Sequence, residues 1–355
     1  MDLGERKRKI LQSIVEEYIQ SAEPIGSRTI AKHTDMGLSS ATIRNEMADL
    51  EEMGYLISPH TSAGRIPSDE GYRFYVNELM HRYQMSAQDV VMLRRFFAAG
   101  ILQLDRLIRQ VGDVLSQLTN YTTVAVTPEL KKSYVKRFEL LPVDENSALL
   151  VLITSEGIVK NQLITVNEDE ISLRSLSVLL NEKLAGLTLE EINLVKINEI
   201  QQMIGTNTQV LMPILNFIHE AITQLDGSEI YIANTQNILS HPEYYDVGKA
   251  RGLMTFLEDK ESLKHAVDQT DGKGRISVVI GKENKFNEMR ETSMVTAKYL
   301  TGGKTIGKIG IVGPTRMDYA KVVTSLDYIT KCLDDIMGQL YYEEKGSEEL
   351  GKEEE

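Results

Sequence analysis

The stretch Tyr55–Val76, YLISPHTSAGRIPSDEGYRFYV, decides how the first part of the chain is read. Two short apolar runs flank a polar loop that carries His60, Thr61, Ser62 and Arg65. Apolar runs bounded by Pro, Gly and Ser pair as hairpins, so the pattern predicts a strand over Tyr55–Ser58, a loop over Pro59–Gly64 and a second strand near Arg65–Pro67. Ser68 then suits the N-cap of a helix that buries Tyr75, Val76, Leu79, Met80 and Tyr83. Upstream, Ile10, Leu11, Ile14, Val15, Tyr18 and Ile19 recur at helical spacing, which predicts a helix over Arg6–Ser21. The run EPIG ends it, Ser27 opens a short helix reaching about His33, and TDMG makes the next turn. A third helix has Ser39 as its N-cap, Ile43, Met47 and Leu50 as its apolar positions, and Gly54 at its end.

Helix, helix, turn, helix and hairpin is the order of a winged helix-turn-helix. In that architecture the third helix enters the DNA major groove by its N-terminal end, and the hairpin lies against the neighbouring backbone or minor groove. With Ile43, Met47 and Leu50 facing inward, the opposite face presents Ser40, Ala41, Arg44 and Asn45. An arginine donates two bonds to guanine, an asparagine pairs with adenine and an alanine touches a thymine methyl. Glu46, Asp49, Glu51 and Glu52 follow and are expected to repel phosphates, which orients the helix. Residues 1–82 hold ten Lys or Arg against thirteen Asp or Glu, a balance unlike that of most DNA-binding domains. The positive charge is nevertheless grouped, in RKRK at 6–9, at Arg28 and Lys32, and at Arg44 and Arg65. A hairpin with one Arg and one His also fits an ordinary solvated loop, and winged domains also serve protein contacts; the order of elements favours DNA. The candidate contacts are Arg28, Ser40, Ala41, Thr42, Arg44 and Asn45 on the helices, with His60, Thr61, Ser62 and Arg65 on the wing.

A chain of 355 residues exceeds one ordinary domain and predicts two or three. Apolar residues make up 42% and charged residues 26%, a soluble globular composition, and no apolar run approaches the ~18 residues of a membrane span. The N-terminus passes from a basic cluster straight into an amphipathic helix without a signal-peptide core, so a cytoplasmic location is expected. A single cysteine, Cys332, rules out an internal disulfide framework and agrees with a reducing compartment.

Three strings, EPIGSRTIA at 23–31, LSSATIRNEMADLEEMGYL at 38–56 and PHTSAGRIPSDEGYRFYV at 59–76, resemble the N-terminal signature of the bacterial heat-inducible transcription repressor HrcA family. QVGDVLSQLTNYTTVAVTP at 110–128, VVIGKEN at 278–284 and GKIGIVGPTRMDYAKVV at 307–323 resemble its later blocks in the right order, so the resemblance spans nearly the whole chain. It implies a homodimeric repressor that binds a double-stranded inverted-repeat operator upstream of chaperone operons. It also implies that the chaperonin GroEL keeps the repressor active and that heat relieves repression. No cofactor and no membrane contact are implied.

Downstream, Ser86–Ala98 and Ile101–Thr119 read as helices. Leu104, Ile108, Val111, Leu115 and Leu118 are spaced as in a coiled-coil seam, but with fewer than three heptads they read better as a face packed on its own domain. TTVAV, YVKRFELLPV, ALLVLIT and GIVKNQLITV predict the start of an antiparallel sheet. Asp169–Leu225 returns to the helical period, most clearly at Val210, Leu211, Ile214, Leu215, Ile218, Ala221, Ile222 and Leu225. EIYIA resumes the strands, a helix covers about Val247–Val267, and RISVVIG, SMVTAKYL and KIGIVGP complete the series, with ITV at 164–166 expected to share a sheet with RISVVIG. A last helix runs from Tyr319 to about Tyr342 with Val322, Val323, Leu326, Ile329, Leu333 and Ile336 inward. The final EEKGSEELGKEEE carries seven acids against two lysines and is expected to be disordered.

The fold class is therefore α+β, with a helical block splitting one sheet. The resemblance names the parts. Residues 1–85 form a winged-helix DNA-binding domain, 86–167 with 242–342 a GAF-like antiparallel-sheet domain in two segments, 168–241 an inserted, mainly helical dimerising domain, and 343–355 an acidic tail.

No catalytic constellation emerges. In TGGKTIGKIGIVGP a Walker loop would need a glycine at 298, where Lys298 stands, and Gly307, Gly310 and Gly313 sit on a predicted strand at the wrong spacing for a dinucleotide turn. Hairpin and bulge geometry explains them. The histidines at 33, 60, 81, 219, 241 and 265 form no metal-ligand spacing. Cys332 falls on a mostly apolar helix as a small packing residue. A dimeric repressor, a GAF-domain regulator switched by a small molecule, and an enzyme with an appended DNA-binding domain are the alternatives by class. A ligand that shifts the melting temperature and operator affinity separates the second from the first.

Overall fold

The computed structural model describes residues 3–33, 37–60, 64–98, 104–126, 134–144, 147–155, 159–165, 170–188, 191–192, 196, 199–200, 202, 213–214, 216–217, 230–270, 274–301 and 304–350. The N-terminal unit contains α1 (Glu5–Ser21), α2 (Ser27–His33), α3 (Ser40–Glu52), β1 (Leu56–Ile57), β2 (Ile66–Pro67) and α4 (Asp69–Phe74), followed by a π-helical turn over Tyr75–Leu79. Ile10, Leu11, Ile14 and Val15 of α1 and Ile43, Met47 and Leu50 of α3 are buried, as their spacing predicts, and Ile30 of α2 is buried with them. Ser39 accepts a bond from Thr42 N at 3.1 Å and Ser68 one from Gly71 N at 3.0 Å, so both expected N-caps are in place. Ala22 closes α1 in the left-handed region at φ 57°, and Gly54 follows α3 at φ 83°. Tyr75 and Leu79 are buried as expected, Tyr72 is buried beside them, and Tyr83 lies past the end of the helical turn.

The hairpin is shorter than its apolar runs. Leu56 pairs with Pro67 and Ile57 with Ile66. A third segment joins it, since Ile25 N bonds Arg65 O at 2.9 Å and Arg65 N bonds Ile25 O at 2.8 Å. This contact requires Gly64: a Cβ there would lie 2.4 Å from the Ile25 carbonyl oxygen.

Beyond the head, α5 (Ala87–Ala98) and α6 (Leu104–Thr119) lead into β3 (Thr122–Val126), and β4 (Val135–Asp144), β5 (Ser147–Thr154), β6 (Val159–Thr165) and α7 (Glu170–Leu184) follow. After β7 (Ile230–Ala233) come α8 (Val247–Glu258), α9 (Lys260–Asp268), β8 (Ile276–Ile280), β9 (Thr292–Thr301), β10 (Lys304–Pro314) and α10 (Tyr319–Leu350). The body is built on an antiparallel five-stranded sheet in the order β7-β3-β10-β9-β8. Ile108, Val111 and Leu115 of α6 are buried within the chain's own core, so the seam is the face that α6 turns to its own domain.

Several expectations change. β4, β5 and β6 do not extend the first sheet; they form a separate three-stranded one in the order β4-β5-β6, and α7 bonds to it through Asn181 Nδ2 on Phe138 O at 2.7 Å. ITV and RISVVIG are consequently not in one sheet: β8 pairs with β9, and β6 with β5. Alternation identifies a strand and its buried face but carries no label for its neighbour. The segment that interrupts the five-stranded sheet, between Val126 and Ile230, thus holds a sheet as well as helix. In the expected helical block Ile214 is buried; Val210, Leu211, Leu215, Ile218, Ala221, Ile222 and Leu225 lie outside the described residues.

The single helix expected over Val247–Val267 is two, because Asp259 ends one and caps the next, its Oδ1 accepting from Ser262 N at 3.4 Å and its Oδ2 from Ser262 Oγ at 2.6 Å. The last helix continues past Tyr342 to Leu350, where an acidic tail beginning at Glu343 was expected to be disordered; Glu, Lys and Leu are good helix formers and extend a helix already under way. The glycines of β10 serve close packing as well as a bulge between Thr305 and Gly307. A Cβ at Gly307 would lie 2.1 Å from the Tyr299 hydroxyl, and one at Gly313 2.7 Å from the Tyr121 ring.

Candidate nucleic-acid interface

The outer face of α3 is where sequence and structure meet. Ala41, Arg44 and Asn45 are exposed and Ser40 is half-buried, on the side opposite Ile43, Met47 and Leu50. Thr42 is drawn into the cap, its hydroxyl 2.9 Å from the Ser39 hydroxyl. Arg28 is exposed on α2. Among the described residues the side chains of Arg28, Arg44 and Asn45 make no hydrogen bond or ion pair, so their donors face solvent. An unpaired guanidinium and an unpaired carboxamide one residue apart on a helix can meet base edges without first breaking an internal contact.

The acids of α3 are the part that the sequence misread. Glu46 takes Lys7 at 2.7 Å and Arg6 at 3.3 Å, Asp49 takes Lys7 at 2.8 Å, and Glu51 takes Arg65 Nε at 2.8 Å. The Lys7 hydrogen bond holds the Glu46 carboxyl below its ordinary range, against the opposing effect of burial. Its bonds to Asp49 and then Glu46 push the Lys7 ammonium up. Three of the four acids expected to repel phosphates are therefore neutralised from within. The same pairs correct the reading of RKRK as grouped positive charge. Arg6 and Lys7 serve α3, Arg8 pairs with Glu78 at 2.9 Å and lies 5.5 Å over the Phe74 ring, and Lys9 pairs with Glu5 at 3.0 Å. Apart from the i,i+4 pair Lys9–Glu5, no signal in one sequence identifies such partners, because they lie on different elements of the fold.

On the wing, His60 is exposed and Arg65 is half-buried. Arg65 is more than a surface cation: besides Glu51, its Nη1 donates to Ser58 Oγ at 3.2 Å, which ties β2 to the end of α3 and to β1. Thr61 and Ser62 lie outside the described residues. The structure thus places Ser40, Ala41, Arg44 and Asn45 on the side of α3 away from its buried residues and leaves Arg28 exposed on α2, while Arg65 is bonded to Glu51 at the end of α3. The described residues contain no group of three His, Cys, Asp or Glu able to hold a metal ion, and no helix among them is long and apolar enough to cross a membrane. Burial raises the pKa of the half-buried Cys332, with Asp335 adding to the effect.

Comparison with known proteins gives two matching family models. Residues 2–80 match the winged helix-turn-helix transcription repressor, HrcA DNA-binding model, and residues 105–323 match the HrcA protein C terminal domain model. The heat-inducible transcription repressor HrcA of Acetivibrio thermocellus is 44% identical over 332 residues, 93% of this chain and 95% of its own. That of Thermoanaerobacter pseudethanolicus is 42% identical over 347 residues, 97% of this chain and 100% of its own. A crystal structure described as that of a hypothetical protein superposes with a TM-score of 0.73 at 25% identity, over 95% of this chain and 99% of the other.

Proposed function

Because the chain belongs to the HrcA family of heat-inducible transcription repressors, we propose that it represses chaperone operons by binding an inverted-repeat operator as a homodimer. In this reading the chaperonin GroEL keeps the repressor in its active form, and heat-damaged proteins that occupy the chaperonin relieve repression. The observation that carries it is the outward face of α3, where Ala41, Arg44 and Asn45 stand exposed while three of the helix's four acids, Glu46, Asp49 and Glu51, are paired with cations. Arg44 and Asn45 read bases, Ser40, Ala41 and Thr42 line the groove, Arg28 approaches the backbone, and His60, Thr61, Ser62 and Arg65 form the wing side of the contact.

The domains follow the same proposal. Residues 1–85 are the DNA-binding head and the five-stranded sheet with its helices is the GAF-like body. The separate sheet of β4, β5 and β6 supports assigning it, with α7, to the inserted dimerising unit rather than to the body. Mobility shifts on the upstream regions of chaperone operons, with and without chaperonin and ATP, test the function. Specific retardation that strengthens with chaperonin is expected. Retardation indifferent to chaperonin but responsive to a small molecule would replace this reading with a ligand-switched one.

A further inference from the structure

The strings DEGYRF, VVIGKEN and GPTRMDY are absorbed by neither the DNA face nor a pocket, yet the fold brings them together. α4 of the head lies against the turn after β8. Arg73 donates through Nε to Glu283 Oε1 at 2.8 Å and through Nη2 to Val278 O at 2.6 Å, and Nη2 also bonds Glu283 Oε2. Glu283 Oε2 in turn accepts from Ile280 N at 2.8 Å, so the turn is folded around the carboxylate that holds the arginine. Asp69 Oδ2 accepts from Lys282 N at 3.0 Å. Gly281 sits at φ 51°, and a Cβ on it would lie 2.4 Å from the Asp69 carboxylate, so only glycine allows the approach. Between these polar contacts Tyr72 packs on Tyr319, ring centroids 5.8 Å apart, and both side chains are buried.

A further contact joins the same two units. Arg316 Nη1 donates to Ile19 O at 2.6 Å, near the C-terminal end of α1, while its Nε holds Glu243 at 2.6 Å. That carbonyl lies in the last turn of a helix, where acceptors lack helical partners and the negative end of the dipole favours a cation. Contacts at Asp69, Arg73 and Ile19, together with the packed tyrosine pair, remove the rotations that the irregular connection over residues 80–86 would leave to the head. None of them covers Ala41, Arg44 or Asn45.

We infer that this joint locks the DNA-binding head to the GAF-like body, so that Arg73, Asp69, Glu283 and Arg316 are positioning residues that set the distance and angle between the two recognition helices of a dimer. The inference rests on the proposed reading that a dimer binds two half-sites. With locked heads the second half-site binds as an intramolecular step, at an effective concentration that collapses when the spacing is wrong. With loose heads the gain is smaller and more tolerant of spacing.

The test uses full-length protein and the duplex that wild type enriches from a randomised DNA pool. Its single half-site and versions with about two and about five base pairs inserted at the centre complete the probe set. Fluorescence anisotropy measures affinity, and thermal melting with sedimentation confirms folded dimer. In Arg73→Gln and, independently, Arg316→Gln, half-site affinity should stay within about twofold of wild type. Affinity for the full repeat should fall by about tenfold or more, and its dependence on spacing should flatten. Arg73→Lys, which keeps the charge but not the forked geometry, serves if Arg73→Gln does not fold, with the same flattening expected. A spacing profile unchanged in folded variants, or an equal loss on half-site and full repeat, overturns the joint as a positioning device. A wild type that binds half-site and full repeat equally refutes the two-half-site reading itself, and the joint's role with it.

Discussion

Arg44→Ala is the sharpest test of the α3 face. The side chain is exposed and meets no partner among the described residues, and alanine is a better helix former than arginine. Folding stability should therefore change by less than about 0.5 kcal/mol. Loss of a bidentate base contact costs about 1 to 3 kcal/mol, and a two-fold symmetric dimer loses it at both half-sites. The total of about 2 to 6 kcal/mol corresponds to a drop in specific affinity between about 30-fold and about 10⁴-fold. On a scrambled duplex, where Arg44 has no base to read, the loss should be far smaller. Mobility shifts on both duplexes at one salt concentration, beside a thermal melt, measure all the quantities needed. Unchanged discrimination between the two duplexes, or an equal loss on both, would remove Arg44 from base reading and with it the assignment of α3 as the recognition helix.

On the wing, Arg65→Ala should weaken specific and scrambled binding alike and lower the slope of log affinity against log salt by about 0.9, whereas His60→Ala should leave the slope alone. An unchanged slope, with affinity restored by adding Glu51→Gln, would assign Arg65 wholly to its brace on Glu51. Ser39→Ala, which removes the α3 cap, should cost about 1 kcal/mol in urea unfolding, and a loss indistinguishable from zero would discount the Thr42 bond. Glu46 has a depressed pKa, so its contribution is present above the unfolded glutamate value and lost as pH falls through the folded one. The melting-temperature gap between wild type and Glu46→Gln should accordingly close below about pH 4, and a gap that persists to pH 2 would contradict the Lys7 pairing. Protein diluted from denaturant should regain little operator binding alone and substantially more with chaperonin and ATP, an effect reduced by unfolded competitor; rapid unaided recovery would refute the chaperonin dependence.

What the sequence makes legible is local. Ser39, Gly54 and Ser68 announce their helix ends because capping and left-handed closure involve residues only a few positions apart. Ile43, Met47 and Leu50 identify the inner face of α3, and so by subtraction its outer one. What escapes is pairing across the chain. The alternation in ALLVLIT finds β5 but cannot say that β4 and β6 make a sheet with it alone, and nothing in RKRK says that two of its cations belong to Glu46 and Asp49. The joint was hidden for the same reason: Arg73 and Glu283 each look like a solvated surface charge until the fold makes them neighbours.

The topology also suggests why operator binding could depend on a folding helper. The head's core is drawn from α1, α2, α3 and the hairpin, all within one short stretch, and can assemble from near neighbours. The body cannot. β3 lies between β10 and β7, with Val126 opposite both Lys308 and Ile230, so its pairings span more than a hundred residues and wait until the interrupting segment has been bridged. Until then Val124, Ile309, Ile311 and Val312, all buried in the finished sheet, remain exposed, which is the kind of surface a chaperonin encloses. The joint comes later still, since Arg73 and Asp69 need the turn after β8, and Ile19 needs Arg316 beyond β10. A head that folds early thus gains its orientation only when the slow body is complete. Assistance to the body can then govern operator binding without anything touching Arg44 or Asn45.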